Sequence, residues 1–275
     1  MRAVDIKVYN IGRTALDREE CRRWLTDEGV SQDAIDRLLT SDNTDCENLV
    51  RLAGKRCYRA FEVGHNPNIS RVREDIAKYI DHILESRHGS VIEHVNYTFA
   101  IEGISRVCTG ELNRHRAGVA ISEGSMRFIR FTDIPFWMPN SIREDVNDTE
   151  EIAAKKAQTR HVFFRAFQQA EENYSELQGI WKEELDEKSK FSKKKEITSL
   201  IRRPIPIGVA TGGVWTFNFR ALRHVCTMRA DPAAEEEINH LAVLLLENLL
   251  RSELHFFGDF QKDEKGFYRP KHWKV

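Results

Sequence analysis

The sequence predicts an α/β (α+β) fold, a central sheet with long helices. Three observations carry this. VNYTFAIEG alternates and GVATGGVWTF is rich in glycine and β-branched residues, so both read as strands. Residues 149–203 are long, charged and periodic, and so helical. PAAEEEINHLAVLLLENLLRSEL is strongly amphipathic at helical spacing, with Pro232 expected in its first turn.

In chain order, a short strand is expected at 5–9. The segments ALDREECRRWLTDEG and SQDAIDRLLTS follow as small helices, each opening near a capping residue. HNPNIS is a polar loop. Ser70 is then expected to cap a helix through residue 86, with Val72, Ile76, Tyr79, Ile80, Ile83 and Leu84 on one face. HGSVIEH reads as a loop before the strand VNYTFAIEG. ISRVCTGELNRHR reads as a helix ending in the basic triplet, and SMRFIRF as a further strand. After GVATGGVWTF, NFRALRHVCTMRA is a short helix. With no repeat and no low-complexity linker, the expectation is one domain over 1–275. Residues 1–56 are expected to be a variable N-terminal extension of it.

Composition narrows the function. No apolar run approaches the roughly 20 residues that cross a bilayer, and the first residues lack a signal-peptide layout. Five scattered cysteines with no CxxC pair argue for reduced thiols in a cytoplasm, against disulfides and against zinc. A formal charge of −1 gives no global basic field for nucleic acid. KFSKKK beside EELDEK reads as a solvated helical face. There is no P-loop, GxGxxG, HExxH or GxSxG pattern. His88 and His94 are six apart with a loop expected between them, and no carboxylate–histidine cluster completes a metal site, so none is expected.

Polar density gathers in HGSVIEH, in ELNRHRAGVAISEGSMRF, and from Arg202 through WTFNFRALRHVCTMRAD. Arg114, His115 and Arg116 stand together, and adjacent guanidiniums tolerate burial only against anions. A phosphate suits them, because arginine binds it with a two-pronged fork. Ser125 adds a hydroxyl and Arg127 another fork. Ala117, Gly118 and Ala120 allow close backbone approach. Surface salt bridges with nearby carboxylates remain the alternative. Further on, Asn218, Leu222, Val225 and Arg229 share a helix face, with Arg220 and His224 on a neighbouring one. Polar residues at both ends of an apolar stripe point to a polar ligand; the alternative is that the ends simply reach solvent. Cys108 and Cys226 sit among apolar residues and read as core.

The RHR triplet followed by Ser125 and Arg127 resembles the signature of the flavin-dependent thymidylate synthases. HGSVIEHVNYTFAIEGISR is similar to the family segment upstream. RRPIPIGVATGGVWTFNFRALRHVCTMRADPAAEEEI is similar to its C-terminal half. The resemblance covers roughly residues 85–132 and 200–250. It implies that fold, bound FAD, and conversion of dUMP to dTMP with 5,10-methylenetetrahydrofolate and NADPH. It also implies a homotetramer whose active sites are shared between subunits. It places Ser90, Arg114, His115, Arg116, Asn218, Arg220 and His224 at the flavin, with Glu123 near both ligands. Glu111, Arg114, Glu123, Ser125, Arg127 and Arg202 would hold the nucleotide. Arg229 would lie against the pyrimidine as the catalytic group, stabilising its N3-deprotonated form.

The chain departs from the family pattern in the loop that lines the nucleotide. Eight residues separate Arg116 from Ser125, where the family signature has seven. Glu111 stands where glutamine is common, and Phe128 where tyrosine is frequent. A carboxylate near a dianionic phosphate repels it unless it turns away or pairs with an arginine. A relative that methylates the ribonucleotide UMP therefore stays open, as do a hydroxymethylating variant and a non-catalytic nucleotide- or RNA-binding module.

Overall fold

The computed structural model describes residues 1–186 and 188–275. The chain opens with β1 (Arg2–Val4) and β2 (Lys7–Arg13), where one strand at 5–9 is expected. Two small helices follow as expected, α1 (Arg18–Asp27) and α2 (Gln32–Leu38), with Asp17 and Ser31 accepting from backbone N–H groups at their starts. α3 (Asp45–Tyr58) begins with a reciprocal capping box between Thr44 and Glu47. α4 (Ile76–Glu85) starts at Asp75 instead of Ser70, because the Asp75 carboxylate takes the Lys78 N–H at 3.0 Å. The expected loop at HGSVIEH is a short 3-10 helix, Gly89–His94.

β3 (Asn96–Ser105) leads directly into α5 (Arg106–Leu112), whose first turn is capped by Ser105. α5 ends before the RHR triplet, with Asn113 as its cap. The basic residues are therefore not a helix end but the turn into β4 (Val119–Glu123). SMRFIRF is not a strand. The Ser125 carbonyl accepts from both Phe128 and Ile129 N–H at 3.0 Å, which turns the chain back.

After β5 (Pro135–Trp137) come α6 (Glu150–Ile180), α7 (Lys182–Leu185) and α8 (Phe191–Ile201). They realise the expected helical stretch; its Glu187 lies outside the described residues. β6 (Ala210–Asn218), α9 (Phe219–Arg229) and α10 (Glu236–Ser252) match their expectations, except that Pro232 lies in the turn before α10 and Glu235 is its cap. α11 (Leu254–Phe257), β7 (Phe260–Lys262) and β8 (Tyr268–Pro270) complete the chain. A four-stranded sheet has the order β2-β3-β6-β4, β1 pairs β5 in parallel, and β7 pairs β8 antiparallel. Among the described residues no helix is long and apolar enough to cross a membrane.

The chain forms two compact units. The first comprises residues 1–9, 100–114 and 121–215. Its core joins Ile134, Phe136, Met138, Ile197, Ile201 and Val209 to one stripe of α6, where Phe167, Ala170 and Tyr174 recur at helical spacing. Phe136 and Phe167 stack with centroids 4.4 Å apart. The second unit comprises residues 10–99, 115–120 and 216–275. Phe219 meets Tyr97, Phe256 and Phe257 edge-on there, and all four rings are fully buried. A separate cluster of Leu25, Ile35, Leu38, Leu52 and Phe61 knits α1, α2 and α3.

Candidate active site

In the first unit, the end of β4 presents Glu123 to two donors from α5 and its cap. Arg106 Nη1 pairs with Glu123 Oε1 at 2.5 Å, and Asn113 Nδ2 donates to Oε2 at 3.0 Å. Arg106 Nη2 also donates to the Gly124 carbonyl. Asn113 Oδ1 in turn accepts from Nε1 of the fully buried Trp215 at 3.0 Å. Both carboxylate oxygens of Glu123 are thus fixed by charge-assisted or amide hydrogen bonds. Glu123 and Arg106 line a cavity of about 860 Å³, with Glu102, Met126, Thr211 and Gly212. The two glycines of β6 on this lining have no room for a side chain. A Cβ on Gly213 would lie 2.5 Å from the Ser122 carbonyl, and one on Gly212 would strike the Glu102 carboxylate.

Arg202, the C-cap of α8, lines a notch of about 260 Å³ together with Arg106, Arg203 and Met126. Arg106 is already paired with Glu123, which leaves Arg202 and Arg203 as the cations beside which an oxyanion would be favoured. Ser125 and Arg127 line neither cavity. The Ser125 hydroxyl accepts the Arg127 N–H at 3.4 Å, and the exposed Arg127 guanidinium lies 5.9 Å from the Phe128 ring centroid. Phe128 stacks on Phe191 with centroids 5.8 Å apart. Glu111 is half-buried in α5, and its carbonyl accepts the Arg114 N–H at 3.2 Å; the Arg114 side chain is exposed.

In the second unit, His115 and Arg229 meet. Arg229 Nε donates to His115 Nε2 at 3.1 Å, and His224 places its ring edge-on to His115 with centroids 5.5 Å apart. Burial first, then the Arg229 charge and then His224 push His115 down to about 4, so it is neutral at neutral pH. Asn218 is the N-cap of α9, its side chain accepting the Ala221 N–H at 2.8 Å. Its polarity beside an apolar stripe is therefore accounted for by the helix start and does not by itself require a ligand. The Asn218 N–H donates to the Gly118 carbonyl at 2.9 Å, with Gly118 in the left-handed region at φ 70°. Arg220 is exposed and reaches Glu93 at 2.6 Å and the Val275 carbonyl at 3.2 Å. Arg116, His224 and Ser90 are exposed.

The candidates thus fall into two sets. Glu111, Arg114, Glu123, Ser125, Arg127 and Arg202 belong to the first unit; Ser90, His115, Arg116, Asn218, Arg220, His224 and Arg229 belong to the second. Arg106, Asn113 and Trp215 are additions that the sequence reading did not single out. The available signal for Arg106 is its place directly after a capping serine, on the first turn of a helix that ends at Asn113.

The model of the family described as thymidylate synthase complementing protein matches residues 37–252. The chain belongs to the family of flavin-dependent thymidylate synthases. A flavin-dependent thymidylate synthase of Corynebacterium efficiens is 35% identical over 222 residues, covering 80% of this chain and 82% of that protein. One from Corynebacterium diphtheriae is 34% identical over 242 residues, 88% of this chain and 87% of the relative. Among solved structures, a UMP/dUMP methylase from Streptomyces cacaoi, bound with 5-Br UMP, has a TM-score of 0.60 at 19% identity. It covers 91% of this chain and 92% of that one. Thymidylate synthase X from Helicobacter pylori, with FAD and dUMP, has a TM-score of 0.54 at 18% identity, covering 93% and 98%. The mixed helix-and-sheet architecture is that of the flavin-dependent thymidylate synthases, a methyl-transferring enzyme family. Every candidate residue, from Ser90 to Arg229, lies inside the matched 37–252 segment.

Proposed function

We propose that the protein methylates C5 of the uracil ring of dUMP, giving dTMP, as a flavin-dependent thymidylate synthase. The match over 37–252, which contains all the candidate residues, carries this reading. The donor chemistry fits a flavin dinucleotide. Exposed Arg116 and Arg220 offer guanidiniums for a diphosphate, and Ser90, Asn218 and His224 add polar groups. Gly89 keeps the backbone open beside Arg220, since a Cβ there would come within 2.7 Å of its Nε. Bound FAD, reduced by NADPH, would supply the hydride that turns the one-carbon unit of 5,10-methylenetetrahydrofolate into a methyl group.

The protein's own residues bind and polarise. Arg202, Ser125, Arg127 and Arg114 hold the nucleotide, the first three at its phosphate. Glu123 is presented in one orientation by Arg106 and Asn113. Arg229 places a fixed positive charge beside the pyrimidine and favours loss of the N3 proton, which makes C5 more nucleophilic. Neutral His115 accepts from Arg229 Nε and holds the guanidinium plane without adding charge. Glu111 turns away from the phosphate or pairs with an arginine. The reading includes a homotetramer with active sites shared between subunits, in the cytoplasm.

A second reading, UMP as substrate, rests on the eight residues between Arg116 and Ser125, one more than the family signature. Both readings are tested by assaying dUMP and UMP side by side with the FAD-loaded protein, methylenetetrahydrofolate and NADPH. Methylation of dUMP alone supports the first, comparable turnover of UMP supports the second, and methylation of neither refutes both.

A further inference from the structure

In the second unit, α3 buries charge where a helix normally buries hydrocarbon. Arg51 and Lys55, one turn apart, are each only 4% exposed. Arg51 donates through Nη2 to the carbonyls of Arg37 (2.8 Å) and Leu38 (2.6 Å) and to Asn48 Oδ1 (2.9 Å). Its Nε is buried without a hydrogen-bond partner. Lys55 Nζ donates to the carbonyls of Ala60 at 3.3 Å and Arg73 at 3.2 Å. Among the described residues neither cation has an ion-pair partner. Of the carboxylates whose field reaches them, Glu74 pairs with Arg37 at 3.3 Å, and Glu47 bonds His255 at 2.5 Å.

Two desolvated cations on one helix face, with no counter-ion of their own, repel each other. Burial first and the Arg51 charge second push Lys55 down to about 8. Carbonyl acceptors satisfy some of their donors but supply no net charge. Both side chains line a cavity of about 430 Å³, shared with Arg73, Phe61 and Val72. Lys55 also lines an adjoining cavity of about 380 Å³ whose walls include Arg71 and Arg73 and no carboxylate.

We propose that the cavity beside α3 binds the oxyanion head group, phosphate or carboxylate, of a small polar metabolite, with Arg51 and Lys55 as its counter-charges. Arg51 Nη2 is taken by three acceptors, but its Nε–H is buried with none, a single donor that an oxyanion beside it would satisfy. Asp36, Asp42 and Glu74, the last paired with Arg37, also line it and favour a ligand that carries hydroxyl or amine donors besides its oxyanion. Phe61 and Val72 supply the apolar wall. None of the flavin or nucleotide candidates lines this cavity, although Ser90 lines the adjoining one, so the site beside Arg51 goes beyond the proposed methylation.

The test uses the wild-type full chain and reads Lys55 directly. A limiting amine-reactive ester labels the protein in chloride, inorganic phosphate or glutarate at equal ionic strength, and peptide mass spectrometry gives the Lys55 labelling rate. An occupied site protects. Probe at ten times its Kd leaves about one molecule in eleven free, so labelling slows about tenfold. Protection by phosphate alone assigns the head group as phosphate, by glutarate alone as carboxylate. Equal rates in all three salts overturn the proposal. Arg51→Met should abolish protection; protection that survives Arg51→Met places the anion away from Arg51 and also overturns the proposal. If Arg51→Met does not fold, Arg51→Gln replaces it, and the wild-type labelling result stands independently.

Discussion

Arg229 gives its Nε–H to His115 Nε2 at 3.1 Å, so His115 is held as the neutral Nδ1–H tautomer. Burial, Arg229 and His224, in that order, bring its pKa from 6.5 to about 4. Histidine titration by NMR should therefore show His115 unprotonated at pH 6, with Arg229→Ala moving its midpoint upward. A His115 midpoint near 6.5 in the wild type would contradict this geometry. The sign for stability follows from the same shift. As pH falls from 6.5 toward 4, the unfolded chain takes up a proton that the folded chain refuses, so stability from this group is present above 6.5 and is lost through that window. Between pH 7 and 5, wild-type protein should lose more resistance to urea than His115→Gln.

The clamp on Glu123 predicts a split between binding and stability. Asn113→Ala leaves the buried Trp215 Nε1–H without an acceptor and frees one Glu123 oxygen. An unsatisfied buried donor costs about 1–3 kcal/mol, read as a drop in unfolding free energy in urea. In the proposed enzyme, nucleotide KM should rise while bound flavin per chain stays at the wild-type level. Loss of flavin together with nucleotide affinity would instead mean that Asn113 supports the fold as a whole.

Elements whose buried face is hydrocarbon were legible in the sequence, and those whose buried face is charged were not. The alternation of β3, with Tyr97, Phe99 and Ile101 buried, and the stripe of α9, with Leu222 and Val225 buried, follow directly from side-chain periodicity. α3 turns Glu47, Asn48, Arg51 and Lys55 inward, so helical spacing of apolar residues does not reveal it. SMRFIRF carries an alternating apolar pattern, but Met126 and Phe131 pack on the core while Phe128 and Ile129 stay exposed around a turn. At the site, RHR and the residues of α9 are readable as a motif. The Arg106–Glu123–Asn113–Trp215 chain is not, because its members converge from α5, β4 and β6 only on folding.

Gly118 links the RHR turn to the cap of α9. Its φ of 70° is left-handed, and a Cβ there would collide with the Asn218 side chain. Gly118→Ala therefore strains the turn by roughly 1–2 kcal/mol from the backbone alone and displaces the Asn218 cap, which contributes about 1 kcal/mol more. The expected result is a lower melting temperature and weaker flavin retention, measured as visible absorbance remaining after gel filtration. Unchanged melting would mean that the turn relaxes without moving Asn218.

A deeply buried ion pair in the second unit predicts a large loss. Arg223, only 2% exposed, forks onto Asp259 at 2.7 and 2.8 Å. Its remaining bonds go to the carbonyls of Phe256 and His272, tying α9 to the chain after α10. Arg223→Met removes the fork and strands a desolvated carboxylate. Breaking one partner of such a pair costs about 3–5 kcal/mol, whereas replacing both with apolar residues is often neutral. Urea unfolding should show a loss of that size for Arg223→Met. Arg223→Met with Asp259→Leu should recover most of it, because no charge is then left buried. Arg223→Lys should fall between, since an ammonium restores the charge but cannot reproduce the two parallel bonds. Equal losses for the single and double replacements would place the stabilisation in the two carbonyl bonds instead of the ion pair.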